Sequence, residues 1–388
     1  MINRVVIFGG HIQALGLARQ VAAKGREVVL LVDDACSVAR FSRSVNRTIV
    51  YRSMDEVGAI VESLELRDRG TLLFPTNDEA VEFLCAHYEE YKERFALGVP
   101  EPEVIALFNN KRTAYRYATV HNVPCPECWY PDTLDEVEAL SGQLPYPVVV
   151  KPAIMYSFHA TFGKKAFRCD NADELMSVYK RIAAADYPLE SILIQEFLAG
   201  GPKHLYSYGV MAAEGKPLAA IQANRIRQNP MDFGNSTTFA VTCDIPKIEA
   251  QSMRLLEQTR YFGLGEVEWM WDEKAQQYMF LEINTRAWKW HTLSNMLGFS
   301  FIEAMIDWFD GVSQKCQTID PNDSVVGWCE RLTDWAVVTK EIVHGRMKFG
   351  DVVKSYKIPH ESAVWSWKDP IPAIMYVLLS PILYIKRY

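Results

Sequence analysis

Between residues 266 and 286 the chain reads Glu266-Val-Glu268-Trp-Met-Trp-Asp272, then a polar turn, then Phe280-Leu-Glu282-Ile-Asn284-Thr-Arg286. Alternation of this kind predicts two strands, Gly265–Trp271 and Gln277–Ile283, joined by Asp272-Glu273-Lys274. In a strand, residues two apart share a face. Glu282, Asn284 and Arg286 therefore point one way, Leu281 and Ile283 the other, and Glu268 on the partner strand can face the polar set. Two carboxylates, an amide oxygen and a guanidinium on one face are poor core material. They suit a magnesium–polyphosphate site, because Mg²⁺ takes hard oxygen ligands and typically uses one or two carboxylates plus substrate phosphates. Arginine would neutralise charge on a transferred phosphoryl group. A solvated hairpin face with a salt bridge is the competing explanation.

Working towards the N-terminus, Leu205–Ala212 and Leu218–Arg227 read as a hairpin around Glu214-Gly215-Lys216. Ser191–Phe197 is a strand running out into Ala199-Gly200-Gly201-Pro202, a segment able to present backbone groups to a flat heterocycle. Pro147–Lys151 is a buried strand that ends on a lysine, a point charge suited to phosphate. Helices are expected at Asn110–His121, Asp173–Ala184, Ile248–Tyr261 and Phe301–Phe309. Residues 1 to about 105 alternate short apolar strands (Arg4–Phe8, Glu27–Val32, Ile49-Val50, Thr71–Phe74) with helical patterns, including Asp55–Leu64 and Glu79–Tyr91. That alternation predicts a parallel, doubly wound sheet. Ligands of such sheets sit beyond the carboxyl ends of the strands, here the loops Gly9–Gln13 and Pro75–Asp78. The fold class expected is thus α/β followed by α+β.

The 388 residues predict two or three domains. With 49% hydrophobic and 23% charged residues the chain is ordinary globular material. Its net charge of −7 argues against a broad nucleic-acid-binding face. MINRVVIFGG enters an apolar strand directly, so no cleaved secretory leader is expected. The eight scattered cysteines read as reduced thiols, and the expected location is cytoplasmic. Cys125-Pro-Glu-Cys128 has no second ligand pair and reads as two linker thiols. Gly9-Gly10-His11-Ile-Gln-Ala-Leu-Gly16 departs from Gly-x-Gly-x-x-Gly, so NAD is not expected there. Trp288, Lys289, Trp290 and His291 either wall a substrate pocket or pack. For 313–388, Val325–Leu332 and Asp334–Val343 suggest a strand and a helix. The apolar stretch 371–387 is short of the ~20 residues that span a bilayer. Packing on the protein is the first reading of it, and a peripheral membrane contact the second.

Taken in order, Lys111, Val-Lys151-Pro, Gln-Glu196-Phe-Leu-x-Gly, Glu268 and Leu-Glu282-Ile-Asn284-x-Arg286 resemble the ATP-grasp superfamily over about residues 1–312. The ending resembles the carbamoyl-phosphate synthase and carboxylate–amine ligase branch. Phe74-Pro-Thr-Asn-Asp78, Asn224-Arg225-Ile-Arg227-Gln-Asn-Pro230, Gly234-Asn-Ser236 and Trp367-Lys-Asp369-Pro370-Ile-Pro372 resemble its D-aspartate ligase-type members. The resemblance implies a Rossmann-like pre-ATP-grasp domain over 1–105, an ATP-grasp domain over 106–312 with a nucleotide-clamping subdomain at about 124–198, and a C-terminal extension over 313–388. It implies an ATP-dependent ligase that joins a small-molecule carboxylate to an amine through an acyl phosphate, releasing ADP and phosphate. An ATP-dependent carboxylase and a catalytically weak ATP-binding protein are the alternatives.

The resemblance also implies roles. Lys111 and Lys151 hold ATP phosphates, with Lys164 or Lys165 in the closing loop. Gln195, Glu196, Phe197 and Leu198 meet the adenine. Glu268, Glu282 and Asn284 bind one or two Mg²⁺, with Mn²⁺ as a substitute. Arg286, with Arg225 or Arg227, steadies the γ-phosphate and the acyl phosphate. Gly10, His11, Pro75, Thr76, Asn77 and Asp78 face the second substrate. Two departures stand out. The loop Ser157–Lys165 has the single glycine Gly163, and Lys203 or His204 stands where relatives place an acid for the ribose.

Overall fold

The computed structural model describes the chain except residues 65–69, 155–157, 159–160, 232–233, 235, 314, 321–323 and 388, together with the side chains of 383–387. It divides into two compact units, one of residues 1–102, 201–266 and 284–388 and the other of 103–200 and 267–283.

The first unit begins with β1 (Arg4–Phe8), β2 (Glu27–Val32), β3 (Arg47–Val50), β4 (Thr71–Pro75) and β5 (Ala96–Leu97), all parallel, in the order β3-β2-β1-β4-β5. The central strands are almost wholly buried because parallel strands are covered on both faces. Strand order reverses between β1 and β4, so the loops after them flank the topological switch point. Those loops touch. The Thr76 hydroxyl donates to the Phe8 carbonyl at 2.7 Å. Gly9 has φ +104°, and a Cβ there would lie 2.3 Å from Thr76 Oγ1, so this approach requires glycine. After β4, Asn77 caps the helix Asp78–Ala86 by accepting from the Ala80 amide. The single helix expected over Glu79–Tyr91 is two. His87 interrupts it, its Nδ1 3.0 Å from the Phe83 carbonyl oxygen, and Tyr88–Tyr91 forms a separate turn.

The second unit holds β6 (Cys128–Trp129), β7 (Val148–Pro152), β8 (Phe167–Cys169) and β9 (Ile192–Glu196), an antiparallel sheet in the order β6-β9-β7-β8. Its helices Lys111–Val120, Leu134–Ser141 and Ala172–Ala184 are each started by a side-chain cap from Asn110, Thr133 and Asn171. Leu175, Tyr179 and Ile182 of the last helix pack on Val148, Val150 and Ile194. The thiols of Cys125 and Cys128 are free, as are the other six.

The remaining strands are β10 (Leu205–Ala213), β11 (Lys216–Asn229), β12 (Ser236–Thr242), β13 (Gly263–Asp272), β14 (Gln277–Asn284), β15 (Gly327–Cys329) and β16 (His360–Ser362). They form a seven-stranded sheet in the order β14-β13-β10-β11-β12-β15-β16. Residues 267–283 of the β13–β14 hairpin are compact with the second unit. The strand expected over Val325–Leu332 shortens to β15, which pairs with β12. β16 then pairs with β15, so residues from the C-terminal stretch complete this sheet. No helix among the described residues is long and apolar enough to cross a membrane.

Candidate functional site

Within the second unit the sequence-selected residues converge. Asn110 caps the helix that opens with Lys111, and the Lys111 amide donates to the Ala153 carbonyl at 3.0 Å. This places the Lys111 ammonium 2.6 Å from Glu282 Oε2 on β14, with the lysine mostly buried. One helical turn on, Tyr115 is buried and receives a hydrogen bond from Lys151 Nζ at 2.9 Å. Its own proton is shared between the Leu281 carbonyl at 2.8 Å and Gln195 Oε1 at 3.1 Å. One phenol thus ties the helix, β7, the end of β9 and β14 together. Burial, and next the positive charge of Lys111, push Lys151 down to about 8, while Cys128 and Glu282 oppose this. Burial holds the Tyr115 hydroxyl well above its ordinary pKa, so it stays a neutral donor and acceptor. Sequence reasoning missed Tyr115. Its only signal was its position four residues beyond Lys111 on a helical face.

The exit of β9 is more committed than expected. The Glu196 amide donates to the Glu127 carbonyl at 2.9 Å, and Glu196 Oε1 accepts from the Glu127 amide at 3.0 Å. The Phe197 amide donates to Pro147 at 3.3 Å, and the Arg168 guanidinium lies 4.5 Å from the Phe197 ring centroid. Leu198 is buried. The closing-loop residues Ser157, His159 and Ala160 lie outside the described residues. Phe158, which is described, packs on Phe162, Phe167 and Tyr187. Beyond it, Gly163 has φ +64° and exposed Lys164 lies 5.4 Å from the Phe167 ring centroid, with Lys165 half-buried beside it.

In the first unit Arg286 forks onto Asp78, Nε to Oδ1 at 2.5 Å and Nη2 to Oδ2 at 3.3 Å. The proposed phosphate arginine and the last residue of the Pro75–Asp78 loop are therefore partners. Asn284 donates to Glu266 Oε2 at 3.2 Å, and Trp290 Nε1 donates to Glu266 Oε1 at 2.9 Å. With its NH₂ so engaged, Asn284 turns its amide oxygen away from Glu266. Glu266, buried and two residues before Glu268, was quoted in the motif but given no role. Glu268, Glu282 and Asn284 are all half-exposed, while Val267, Trp269 and Ile283 between them are buried, as alternation demands. Trp271 does not follow Trp269 into the core; it is half-exposed against Tyr278. Among the described residues no three His, Cys, Asp or Glu side chains are gathered to hold a metal.

Further sequence-selected residues lie in the first unit. Arg225 and Arg227 are both buried on β11 with half-exposed Ile226 between them, where the pairing with β12 shifts register between Asn224 and Gln228. Arg227 is buried and forks onto Asp334, Nε to Oδ1 at 2.9 Å and Nη2 to Oδ2 at 2.8 Å. It also donates to Ser355 at 2.8 Å. Arg225 is buried with Nη2 3.5 Å from Gln228 Oε1. Lys203 is exposed in a short turn over Pro202–His204, and its carbonyl accepts from Asn224 at 3.0 Å. Trp288 and Trp290 resolve to packing, both fully buried with ring centroids 5.4 Å apart. His291 beside them is pushed down to about 4 by burial and lies 3.1 Å from the Gln13 carbonyl oxygen, next to the loop that carries Gly10 and exposed His11. Asn235 of the Gly234-Asn-Ser236 motif lies outside the described residues.

Comparison with known proteins places this geometry. The chain is 20% identical over 274 residues to the methylcrotonoyl-CoA carboxylase alpha subunit of Glycine max, covering 68% of this chain and 36% of that protein. The chain thus spans about a third of the length of that curated relative. Among solved structures it is similar to the biotin carboxylase–β,γ-ATP complex of Campylobacter jejuni, with TM-score 0.66 and 18% identity over 82% of this chain and 73% of the other. It is also similar to the biotin carboxylase domain of 2-oxoglutarate carboxylase from Hydrogenobacter thermophilus, solved with MgADP and bicarbonate, with TM-score 0.65 and 17% identity over 82% and 72%. A third is N5-carboxyaminoimidazole synthetase from Staphylococcus aureus, with TM-score 0.65 and 13% identity over 88% and 86%. At these identities the likeness to solved structures is one of fold. Residues 110–311, more than half of the chain, match the model of the carbamoyl-phosphate synthase L chain, ATP binding domain, and the chain belongs to that family of ATP-grasp enzymes.

Proposed function

We propose that the chain is an ATP-dependent carboxylate–amine ligase. The observation that carries this is the set Lys111–Glu282 and Lys151–Tyr115: two cations and a carboxylate gathered around one buried phenol. Such a set suits charge stabilisation rather than covalent catalysis. Lys111 and Lys151 would take phosphate oxygens of a bound triphosphate, and Glu282, with Glu268 and Asn284, would hold a metal. The donor set fits Mg²⁺: the Lys111 ammonium already marks Glu282 as a cation partner, and Glu268 and the Asn284 oxygen are further hard ligands. Bound there, Mg²⁺ would supply neutralisation of the phosphate charge. Arg286, held in orientation by Asp78, would steady the phosphoryl group as a substrate carboxylate takes it from ATP. The amine nitrogen then attacks the acyl carbon, the C–O bond to phosphate breaks, and the nitrogen loses a proton. The adenine contact falls on Leu198 and the Glu196 carbonyl, since the amides of Glu196 and Phe197 already have partners.

A division at about 105 and 312 is part of this proposal, supported by the family match over 110–311. So is a cytoplasmic setting, supported by eight free thiols. The similar solved structures and the curated relative are carboxylases and a carboxyaminoimidazole synthetase, which favours bicarbonate as the carboxylate in a second reading. ADP release measured with a panel of amino acids and peptides, with and without added bicarbonate, separates the two. Release that depends on an amine and leaves an amide product supports the ligase. Release that requires bicarbonate selects the carboxylase.

A further inference from the structure

We propose that the helix Ile371–Arg387 is a docking surface for an anionic phospholipid bilayer, on which it lies flat. One face of this helix is used by the fold: Pro372 is buried, and Ala373 and Tyr376 pack against the N-terminal core. The opposite face is apolar through residue 382. Ile371, Ile374, Val377, Leu378 and Ile382 follow helical spacing and are each 46–64% exposed. Pro381 completes that face and is also exposed. A continuous apolar stripe on a helix roughly 25 Å long marks an interaction site rather than scattered surface hydrophobics.

Four observations select a lipid surface as its occupant. First, the sequence from 370 to 388 has no acidic residue and contains Lys386 and Arg387, while Lys368 is exposed just before the helix. In a chain of net charge −7 this is a local reversal of sign, and it complements anionic headgroups. Second, Trp365 and Trp367 stand exposed beside the helix start, with ring centroids 5.1 Å apart. Tryptophan is the side chain that settles at the headgroup level. Third, Pro381 removes the amide that would bond the Val377 carbonyl, and the Ser380 hydroxyl donates to that carbonyl instead at 2.8 Å. In water the carbonyl would need no such partner, whereas in an apolar layer it must have one. Fourth, the helix is firmly mounted. Asp369 before it is buried, accepts from Arg19 Nε at 3.0 Å and Ser42 Oγ at 2.6 Å, and is bonded by the Arg43 amide at 3.2 Å. Among the described side chains, Ile371, Ile374, Val377, Leu378, Pro381 and Ile382 of the exposed face carry no polar group that would fix register with a protein. No helix among the described residues is long and apolar enough to cross a membrane, and this one lies in the interface plane in the proposal.

The test is flotation of the full chain with large unilamellar vesicles, either pure phosphatidylcholine or with about one third phosphatidylglycerol. The expected result is binding to the anionic vesicles that weakens with salt. Ile374→Gln/Leu378→Gln should lower the partition coefficient at least ~30-fold, with ADP release in solution unchanged. The milder pair Ile374→Ala/Leu378→Ala keeps helix propensity and should fall between. Absence of flotation, or equal flotation of wild type and the glutamine pair, overturns the proposal. Equal binding to neutral vesicles overturns the anionic surface as the occupant. Self-association that the glutamine pair abolishes, without vesicle binding, assigns the face to a second copy and also overturns it.

Discussion

In its proposed role Lys151 is under two opposed demands: it would have to be charged to hold phosphate, yet it is enclosed and lies close to a second lysine. Its pKa of about 8 is below the ordinary lysine value near 10.4. The unfolded chain therefore keeps a proton that the folded site gives up between those pH values. The penalty for burying this cation is fully present below pH 8 and is relieved as pH rises through 8 towards about 10.5. Lys151→Met should raise the nucleotide-free melting temperature at pH 7, and the gain should fade as pH rises across that window. The same substitution should weaken ATP binding by about one to two decades, the worth of a charge-assisted contact. Calorimetric titration at pH 7 and thermal melts from pH 7 to 10.5 check both, and unchanged ATP affinity would return Lys151 to a packing role. Arg286 differs because its geometry matters more than its charge. Arg286→Lys keeps the charge and loses the fork that meets Asp78. Phosphoryl transfer in the saturated complex should slow by at least ~10-fold, with ATP affinity within about a factor of two, because the lost contact is strongest in the transition state. Asp78→Asn should show a weaker form of the same change. Single-turnover transfer measured beside nucleotide binding decides, and loss of affinity alone would contradict the assignment.

At the scale of elements, the β13–β14 hairpin was legible because it is governed by a period of two. The buried residues Val267, Trp269 and Ile283 alternate with half-exposed Glu268, Glu282 and Asn284 as the sequence requires. From this follows the prediction that Glu282→Gln preserves the fold, since its side chain is not core, and loses most ADP production, with a requirement for magnesium shifted upward. A magnesium titration of initial rates checks it, and near-normal rates at low magnesium would refute the ligand role. β11 bulges between Asn224 and Gln228, a feature that the alternation did not announce. A bulge inserts a residue without leaving a compositional mark. The helix Lys111–Val120 was expected over Asn110–His121, but helical spacing alone assigns Tyr115 to the core. Its polar tip matters only through Lys151, Gln195 and Leu281, all distant in sequence. The strands β5, β6, β8 and β16, of two or three residues, were not expected because so few positions establish no pattern.

At the scale of the whole chain, the sequence suggested that 313–388 is an extension, while the first unit treats it as structure. β15 pairs with β12 and β16 with β15, so removing this stretch would strip one side of β12 of its partner. The joint is polar as well as hydrogen-bonded through the backbone. Asp334 is fully buried and accepts the Arg227 fork, the Thr238 hydroxyl at 2.7 Å and the Tyr356 hydroxyl at 2.6 Å. Arg227 in turn lies 4.3 Å from the Phe239 ring centroid and 5.3 Å from that of Tyr356. Removing one member of a buried ion pair strands the other charge, which costs about 3–5 kcal/mol. Arg227→Met should therefore lower the denaturation midpoint sharply, far more than loss of one surface charge would. Arg227→Met/Asp334→Asn should recover much of that loss, because the amide oxygen still accepts from one of the Thr238 and Tyr356 hydroxyls and its NH₂ donates to the other, without a stranded charge. If Arg227 instead served the reaction, Arg227→Met would abolish turnover at unchanged stability, and the double variant would be no better. Urea denaturation of both variants, set beside their ADP release, distinguishes an arginine that fastens the C-terminal strands to the sheet from one that handles phosphate.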